Sequence, residues 1–433
     1  MWKPHTLLLI PILLSPISGF QIDAITAYNT SSPFPHLLPP DHLICPLPSS
    51  QNPWSLPPLC PPPRQSSSSS SSSSSSLNDD EEDDEDEDPS PDCIFTSQQF
   101  RSSQGLSVIT SPYLASVLLP ALSDTSLPPS LPPSPGPSRV PWKIQPLPGR
   151  GMGLVATSKI QKHSRIMLGY PVLVVRLDFI NGGRYSSKKK REMLDEAVDR
   201  LGGGVKKKIL GLARSGQNKG DGVILDVLKT NGFGIEVGGE QHLGLFIEGS
   251  RVNHNCRPNA FWRYVPSAMA MEVVALRNIQ PGEEVAHSYA PLGYTHEERK
   301  AVLRQWGFQC RCALCSAPPA ERELADSRRE RILEIHQLLS KASDIQSSRR
   351  IDQLVKEATT LIELEELHPQ LVEYYVQFAK AYMMINDLKN GRHYIKKADE
   401  MWLFYGGEEH ENVEGMNELW ATLEEAEREA EDD

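Results

Sequence analysis

The chain has 433 residues, and its formal net charge of −12 comes from 44 Lys and Arg residues against 56 Asp and Glu residues. Ten of the acids form one run, Asp79–Asp88, and without that run the balance is −2. The rest of the chain therefore lacks the net basic excess of a protein that binds nucleic acid through bulk charge. No run of about 18 apolar residues occurs, which argues against a membrane-spanning protein.

The first 20 residues have the layout of a secretory signal peptide. Lys3 precedes an apolar stretch, Leu7–Leu14, and small residues follow around Ser18. The apolar stretch is short, however, and Pro11 interrupts it. An apolar start to an unstructured arm remains the alternative interpretation.

Residues 21–137 are predicted to form a disordered arm. They contain eleven consecutive serines, Ser66–Ser76, together with the acidic run and most of the prolines. Such a composition cannot bury enough apolar surface to offset the entropy lost on ordering. Cys45, Cys60 and Cys93 fall in this arm without the spacing of a metal site, so free thiols are expected there in a reducing compartment.

Short apolar runs bounded by Gly, Pro and Asn predict a β-rich core after the arm. These runs are Ile166–Leu168, Val172–Leu177, Gly234–Val237 and Leu243–Ile247. Between them, apolar residues at 3–4 spacing predict a helical insertion over about 186–212. The lysines of this insertion indicate either a solvated helix face or a contact surface for an acidic partner.

Residues 149–155 read Gly-Arg-Gly-Met-Gly-Leu-Val, with three glycines at alternate positions. Glycine permits a positive φ and lets the backbone approach a ligand closely. A glycine-rich hairpin turn would produce the same pattern. A dinucleotide-binding fingerprint is not favoured, because no apolar strand precedes the glycines and no helical pattern follows them.

The cysteines of the second half suggest a metal site. Cys310, Cys312 and Cys315 form a C-x-C-x-x-C triplet, which offers three thiolates to a metal that takes four. Cys256 is the only other cysteine after the arm. A zinc ion held by all four would clip the C-terminal segment against the Asn253–Asn259 loop. The rival, a disulfide pair with two spare thiols, needs an oxidising compartment.

Several pieces of the chain, taken in order, resemble SET-domain protein-lysine methyltransferases. The closest likeness is to the subgroup that includes fungal SET-domain proteins and MYND-associated SET proteins. No seven-cysteine MYND zinc module is present, so the partner recognition it provides should be absent. His287 also departs from the family, which often has an acid or small polar residue two positions before its tyrosine. The matching pieces are Gly149–Leu154, Asn231–Phe233, Asn253–Asn259, Gly282–Tyr289 and the cysteine triplet.

The resemblance implies an α+β fold. A β-rich SET domain with a knot-like crossing would occupy residues 138–292, and a post-SET zinc segment would occupy 293–318. Residues 319–433 would form an α-helical domain, and helical periodicity with a break at Asn386-Asp387 makes part of it similar to a tetratricopeptide helix pair.

The resemblance also implies S-adenosyl-L-methionine as methyl donor, structural Zn²⁺, and Tyr289 as the catalytic tyrosine. His254 could instead be a core histidine that holds the crossing together, and Tyr294 sits where the subgroup often has an aromatic near the lysine channel. The implied metal ligands are Cys256, Cys310, Cys312 and Cys315. The implied cofactor-binding residues are Arg150, Gly151, Met152, Gly153, Asn253, His254, Tyr289, Trp306 and Phe308.

The implied activity is methyl transfer to a lysine of a histone or another protein. The alternative is a catalytically inactive SET module that acts as an interaction scaffold. A hydrolytic zinc site is disfavoured because four thiolates leave no open position for water. We expect a monomer with a protein substrate and without direct nucleic-acid or membrane contact. Thiolates and cofactor favour the nucleus or cytoplasm, whereas residues 1–20 favour the secretory pathway.

Overall fold

A computed structural model of the chain describes residues 53–60, 90–123, 140–216, 220, 222–345, 347–407 and 411–432. None of the helices in these ranges has both the length and the apolar character needed to cross a bilayer. The strands are β1 Leu56–Leu59, β2 Cys93–Ser97, β3 Leu106–Thr110, β4 Trp142–Leu147, β5 Gly151–Ala156, β6 Arg165–Gly169, β7 Leu173–Arg176, β8 Phe233–Val237, β9 Glu240–Leu245, β10 Asn253–His254, β11 Ala260–Val265, β12 Ala270–Ala275 and β13 Glu284–His287.

The α-helices lie in three groups: near the N-terminus, in the insertion, and throughout the C-terminal third. They are α1 Phe100–Ser103, α2 Pro112–Val117, α3 Leu119–Ser123, α4 Leu177–Asn181, α5 Ser187–Asp199, α6 Gly203–Leu210, α7 Val223–Asn231, α8 His296–Leu303, α9 Ala313–Ser316, α10 Pro319–Leu339, α11 Ala342–Ile345, α12 Ser348–Leu364, α13 Leu371–Met384, α14 Leu388–Tyr405 and α15 Glu411–Asp432.

The largest sheet has the strand order β1-β2-β3-β7-β9-β8. Strands β2 and β3 are buried along their whole length, and β3 pairs in parallel with β7 at Val108 opposite Val174. The prediction of disorder over 21–137 was therefore wrong for residues 53–60 and 90–123. The remainder of the predicted arm, and the predicted signal at 1–20, lie outside the described residues.

The cysteines of the predicted arm also differ from expectation. Cys60 and Cys93 are joined by a disulfide, which ties the end of β1 to the start of β2. The prediction of free thiols was wrong for this pair, and Cys45 lies outside the described residues. Within the sheet, Thr110 of β3 donates a hydrogen bond to Nε2 of buried His242 in β9, at 2.9 Å.

The helical insertion is confirmed as α5 and α6, and it packs on the large sheet. Met193, Leu194, Ala197 and Val198 form one buried face of α5, in the same apolar core as β7. Several of its basic side chains are already paired locally, since Lys188 and Lys189 both approach Glu192. A solvated helix face accounts for these lysines without a partner.

The predicted short strands correspond to β6, β7, β8 and β9, with ends that shift by at most three residues. Two smaller sheets complete the β-rich part, with strand orders β10-β13-β5-β4 and β11-β12-β6. Strands β4 and β5 form a hairpin whose turn carries Gly149, so the hairpin interpretation of the glycine segment is confirmed.

The C-terminal third is helical, as expected. Helices α13 and α14 form a hairpin whose turn contains Asn386 at φ +59°, and the Asp387 side chain accepts a hydrogen bond from the Asn390 N–H to cap α14. Trp402 and Tyr405 of α14 share an apolar core with β11 and β12. The predicted boundaries of the SET domain, the post-SET segment and the helical domain, at residues 138, 293 and 319, stay predictions.

Candidate cofactor cavity and cysteine cluster

Two distant segments cross beside the site. Strands β10 and β13 run in parallel, with His254 opposite His287. The Asn255 N–H donates to the His287 carbonyl at 2.8 Å, and Asn259 Oδ1 accepts from the Ala286 N–H at 2.8 Å. The Asn255 side chain also acts locally, because its Oδ1 accepts from the Arg257 N–H at 3.0 Å. The side chains of Asn255 and Asn259 therefore each satisfy a backbone N–H of the loop or the crossing. The crossing brings Tyr289 next to His254.

A cavity of about 330 Å³ opens next to this crossing. Its volume lies at the lower end of the range of small-molecule sites, roughly 300–1,000 Å³. All of the residues implied as cofactor-binding line it except Gly153. Its lining residues are Gly149, Arg150, Gly151, Met152, Ala213, Arg214, Thr230, Asn231, Ser250, Arg251, Asn253, His254, Tyr289, Trp306, Gly307, Phe308, Gln309 and Arg311.

The three glycines of the hairpin are required for two different structural reasons. Gly149 and Gly151 have φ values of +69° and +72°, a region that favours glycine. Gly153 lies behind the cavity wall, where an added Cβ would stand 2.3 Å from Leu147 Cδ1 and 2.9 Å from Asn253 Nδ2. Only glycine lets β5 approach the Asn253 loop this closely.

Glu284 ties the hairpin to the asparagine loop. Its carboxylate lies 2.8 Å from Arg150 Nε and accepts a hydrogen bond from Asn253 Nδ2, also at 2.8 Å. Arg150 also donates to the His254 carbonyl at 2.9 Å. The Arg150 guanidinium is thus held by protein groups, although the residue lines the cavity. Because Arg150 fixes the Glu284 carboxylate, it also helps to orient Asn253, which donates to that carboxylate.

Tyr289 is held at three points. Its hydroxyl donates to the Val252 carbonyl at 3.0 Å, its N–H donates to His254 Nδ1 at 2.9 Å, and its ring centroid lies 5.4 Å from that of Trp306. Burial raises the pKa of Tyr289 well above its usual value, so the phenol stays protonated. Phe308 completes the aromatic wall, 6.2 Å from the Tyr289 centroid.

His287 lies behind Tyr289, with ring centroids 4.8 Å apart, and beside Phe233. Burial lowers the pKa of His287 to about 4, so the ring is neutral near pH 7. Its Nδ1 donates to the Ser288 carbonyl. His287, which stands where the family often has an acid or small polar residue, therefore adds no fixed charge beside Tyr289. Tyr294 does not line the cavity; its carbonyl accepts hydrogen bonds from the buried Arg299 and Arg329 instead.

Several lining residues were missed by the sequence analysis, notably Arg214, Arg251 and Arg311. Arg214 comes from the loop after α6, and Gly307 lets the aromatic segment pack against that loop, because an added Cβ would stand 2.6 Å from the Ser215 carbonyl oxygen. Arg251 and Arg311 lie beside Asn253 and inside the cysteine triplet, so these motifs could have pointed to them, whereas only the fold brings Arg214 to the cavity.

The four cysteines implied as metal ligands converge as expected. The Sγ atoms of Cys256, Cys310, Cys312 and Cys315 all lie within 4.8 Å of one another. The rival disulfide is absent from this group, since all four cysteines are free. Four thiolates at such separations suit a tetrahedral zinc ion.

Charged side chains surround the cysteine cluster on the side of α10. Arg257, Arg328 and Arg329 surround the buried Glu365 carboxylate, and Arg299 approaches Asp326. Four arginines thus face two carboxylates, which leaves two positive charges. Arg329 also donates to the Cys256 carbonyl, so this charge lies against the cysteine loop. A divalent cation on four thiolates would carry two negative charges, which the buried Arg329 beside the Cys256 carbonyl would help to stabilise.

Part of the chain is similar to a known family. Residues 151–290 match the family model of the SET domain, and the chain is similar over part of its length to proteins named as lysine methyltransferases. Histone-lysine N-methyltransferase set5 of Schizosaccharomyces pombe is 31% identical over 193 residues, which cover 44% of this chain and 56% of that protein.

Two further relatives come from vertebrates. N-lysine methyltransferase SMYD2 of Homo sapiens is 28% identical over 169 residues, covering 37% of this chain and 39% of the relative. The SMYD2 of Gallus gallus is 32% identical over 144 residues, covering 33% and 30%. The chain therefore spans about half or less of the length of these curated relatives.

Proposed function

We propose that the chain is a protein-lysine N-methyltransferase that uses S-adenosyl-L-methionine. The observation that carries the proposal is the convergence of the glycine hairpin, Asn253, Tyr289 and the Trp306–Phe308 segment on one cavity. The relative from Schizosaccharomyces pombe is named for histone lysines. Histones are therefore the first substrates to test, with other lysine-containing proteins after them.

The residues of the cavity match the parts of this cofactor. Phe308 is 38% exposed at the cavity and offers an aromatic face to the adenine. Arg214, Arg251 and Arg311 favour the carboxylate of the methionine part. Asn253 donates through Nδ2 to Glu284, so its Oδ1 is available to accept from the cofactor's ammonium.

When bound, S-adenosylmethionine supplies a methyl group activated by its sulfonium, and the sulfur keeps the C–S electron pair as the lysine nitrogen takes the methyl. The protein must then present a neutral amine in line with that bond. Apolar walls disfavour the ammonium form, and the rings of Tyr289 and Trp306 provide such walls. The neutral Tyr289 hydroxyl, held on the Val252 carbonyl, orients the reacting groups.

The four cysteines would hold Zn²⁺ as a structural cross-link. With every coordination position taken by a thiolate, such an ion fixes the segment that carries Trp306 and Phe308 against the Asn253 loop. The cofactor cavity is formed between these two segments, so we propose that metal binding and cofactor binding support each other.

Asn253→Ala is expected to weaken binding of S-adenosylmethionine about tenfold or more, because a hydrogen bond to a charged group is lost and the Glu284 contact is broken. Isothermal titration calorimetry on the zinc-loaded full chain measures this. The matched control is Asn278→Ala, an exposed asparagine that does not line the cavity.

The same titration separates the enzyme from the scaffold alternative. An inactive interaction module needs no cofactor, so absence of any cofactor binding by the zinc-loaded wild-type chain would overturn the proposed function. Binding that Asn253→Ala leaves unchanged would show that the cofactor occupies a different site.

A further inference from the structure

One buried side chain touches both the cysteine cluster and the catalytic tyrosine. His254 is 2% exposed, its Nε2 lies 3.2 Å from Cys256 Sγ, and its Nδ1 lies 2.9 Å from the backbone nitrogen of Tyr289. The two ring nitrogens thus face the two parts of the site that the proposed function uses for different purposes.

The hydrogen-bonding groups fix where the ring proton lies. A backbone N–H can only donate, so Nδ1 must be the acceptor in its bond with Tyr289. The proton of the neutral ring is then on Nε2, which points at Cys256 Sγ. A metal-bound thiolate carries negative charge and accepts such a bond well, and outer bonds of this kind orient metal ligands.

The Tyr289 end of this connection is equally constrained. Tyr289 is half-buried, and its N–H would lose its protein partner if the His254 ring turned away, which is unfavourable for a backbone donor. The neighbouring His287 carbonyl is already held by the Asn255 N–H. The His254 ring therefore fixes the position of the Tyr289 backbone. The backbone in turn positions the Tyr289 hydroxyl, which contacts the Val252 carbonyl.

We propose that His254 is a positioning residue that couples the four-cysteine metal site to Tyr289. The role of Tyr289 in this coupling rests on the proposed function, whereas the coupling itself is a property of the fold. Loss of the metal turns the charged Cys256 thiolate into a neutral thiol, which is a weaker acceptor for Nε2, so the ring is held less firmly. The position of Tyr289, which is itself a lining residue of the cavity, then changes.

Two substitutions at this position separate the two ends of the ring. Asparagine places its amide near the position of Nδ1, so His254→Asn keeps an acceptor for Tyr289 and loses the bond to Cys256. Glutamine places its amide near Nε2, so His254→Gln keeps a donor for Cys256 and loses the bond to Tyr289.

Each variant is prepared as the zinc-loaded full chain and measured in two ways. Transfer of zinc to a chromogenic chelator reports the metal end. The amide resonance of Tyr289, in protein carrying ¹⁵N only in tyrosine, reports the other end and is assigned by its absence in Tyr289→Phe. For His254→Asn we expect zinc release about tenfold faster, with the Tyr289 amide close to wild type.

For His254→Gln we expect the opposite pattern: zinc release within about twofold of wild type and a displaced Tyr289 amide. A ring that only fills space would make both variants change both readouts alike, and that result would overturn the proposal. Unchanged zinc release in His254→Asn would overturn it as well. Neither readout requires methyl transfer, so failure of the proposed activity is detected separately, by the cofactor titration.

Discussion

Replacing Tyr289 with phenylalanine is expected to lower kcat for methyl transfer about a hundredfold, the loss typical of removing one positioned polar group from a reacting centre. The substitution keeps the ring against Trp306 and removes only the hydroxyl on the Val252 carbonyl. Cofactor affinity should change little, because the backbone N–H that His254 accepts is retained. Rates measured with labelled S-adenosylmethionine, alongside calorimetry on the same preparation, test both statements.

The control for this substitution is Tyr113→Phe, which removes the same hydroxyl from a tyrosine that is 62% exposed on α2. That variant should transfer methyl groups at the wild-type rate. Wild-type activity in Tyr289→Phe would show that the hydroxyl has no part in the mechanism. A loss of cofactor affinity as large as the loss of rate would show that the hydroxyl acts in cofactor binding instead.

Replacing Arg329 with methionine is expected to destabilise the fold by about 3–5 kcal/mol, the range for breaking a buried ion pair. Arg329 is 1% exposed and contacts Glu365, and it donates to the carbonyls of Leu292 and Cys256. Burial lowers the pKa of Arg329 to about 10, so the side chain is still charged near pH 7. Loss of this guanidinium removes one partner from the Glu365 carboxylate and from the Tyr294 carbonyl, and it removes the Arg329 donor from the carbonyls of Leu292 and Cys256.

Arg331→Met, two residues along the same helix, provides the matched control. Arg331 pairs with Glu357 at 2.8 Å, but both side chains are about one-third or more exposed, so the loss should be at most about 1 kcal/mol. Urea unfolding followed by circular dichroism compares the two. Equal losses in the two variants would contradict the structural role assigned to the buried cluster.

The elements with strong local signals were predictable from the sequence. The 3–4 spacing of Met193, Leu194, Ala197 and Val198 gave α5, and the break at Asn386-Asp387 gave the turn between α13 and α14. The approach of Cys256 to the cysteine triplet was also predicted, because a metal that takes four ligands leaves few other choices. Each of these rests on spacing, which the local sequence carries directly.

The strands β2 and β3 were missed because their signal is not local. Each has five residues inside a region dominated by Pro, Ser and acids, and each becomes stable only when β7, from much later in the chain, completes the sheet. The same reason applies to the arginines of the site. Nothing near Arg150 in the sequence indicates Glu284, and nothing near Arg329 indicates Glu365.

We propose that the chain transfers a methyl group from S-adenosylmethionine to lysine. The most direct measurement incubates the zinc-loaded full chain with methyl-labelled cofactor and histone proteins or a protein array, and locates the label by mass spectrometry. We expect label on the ε-nitrogen of lysine with the wild-type chain and about a hundredfold less with Tyr289→Phe. Cofactor-bound, zinc-loaded protein that labels no lysine in any of these proteins would contradict the claim.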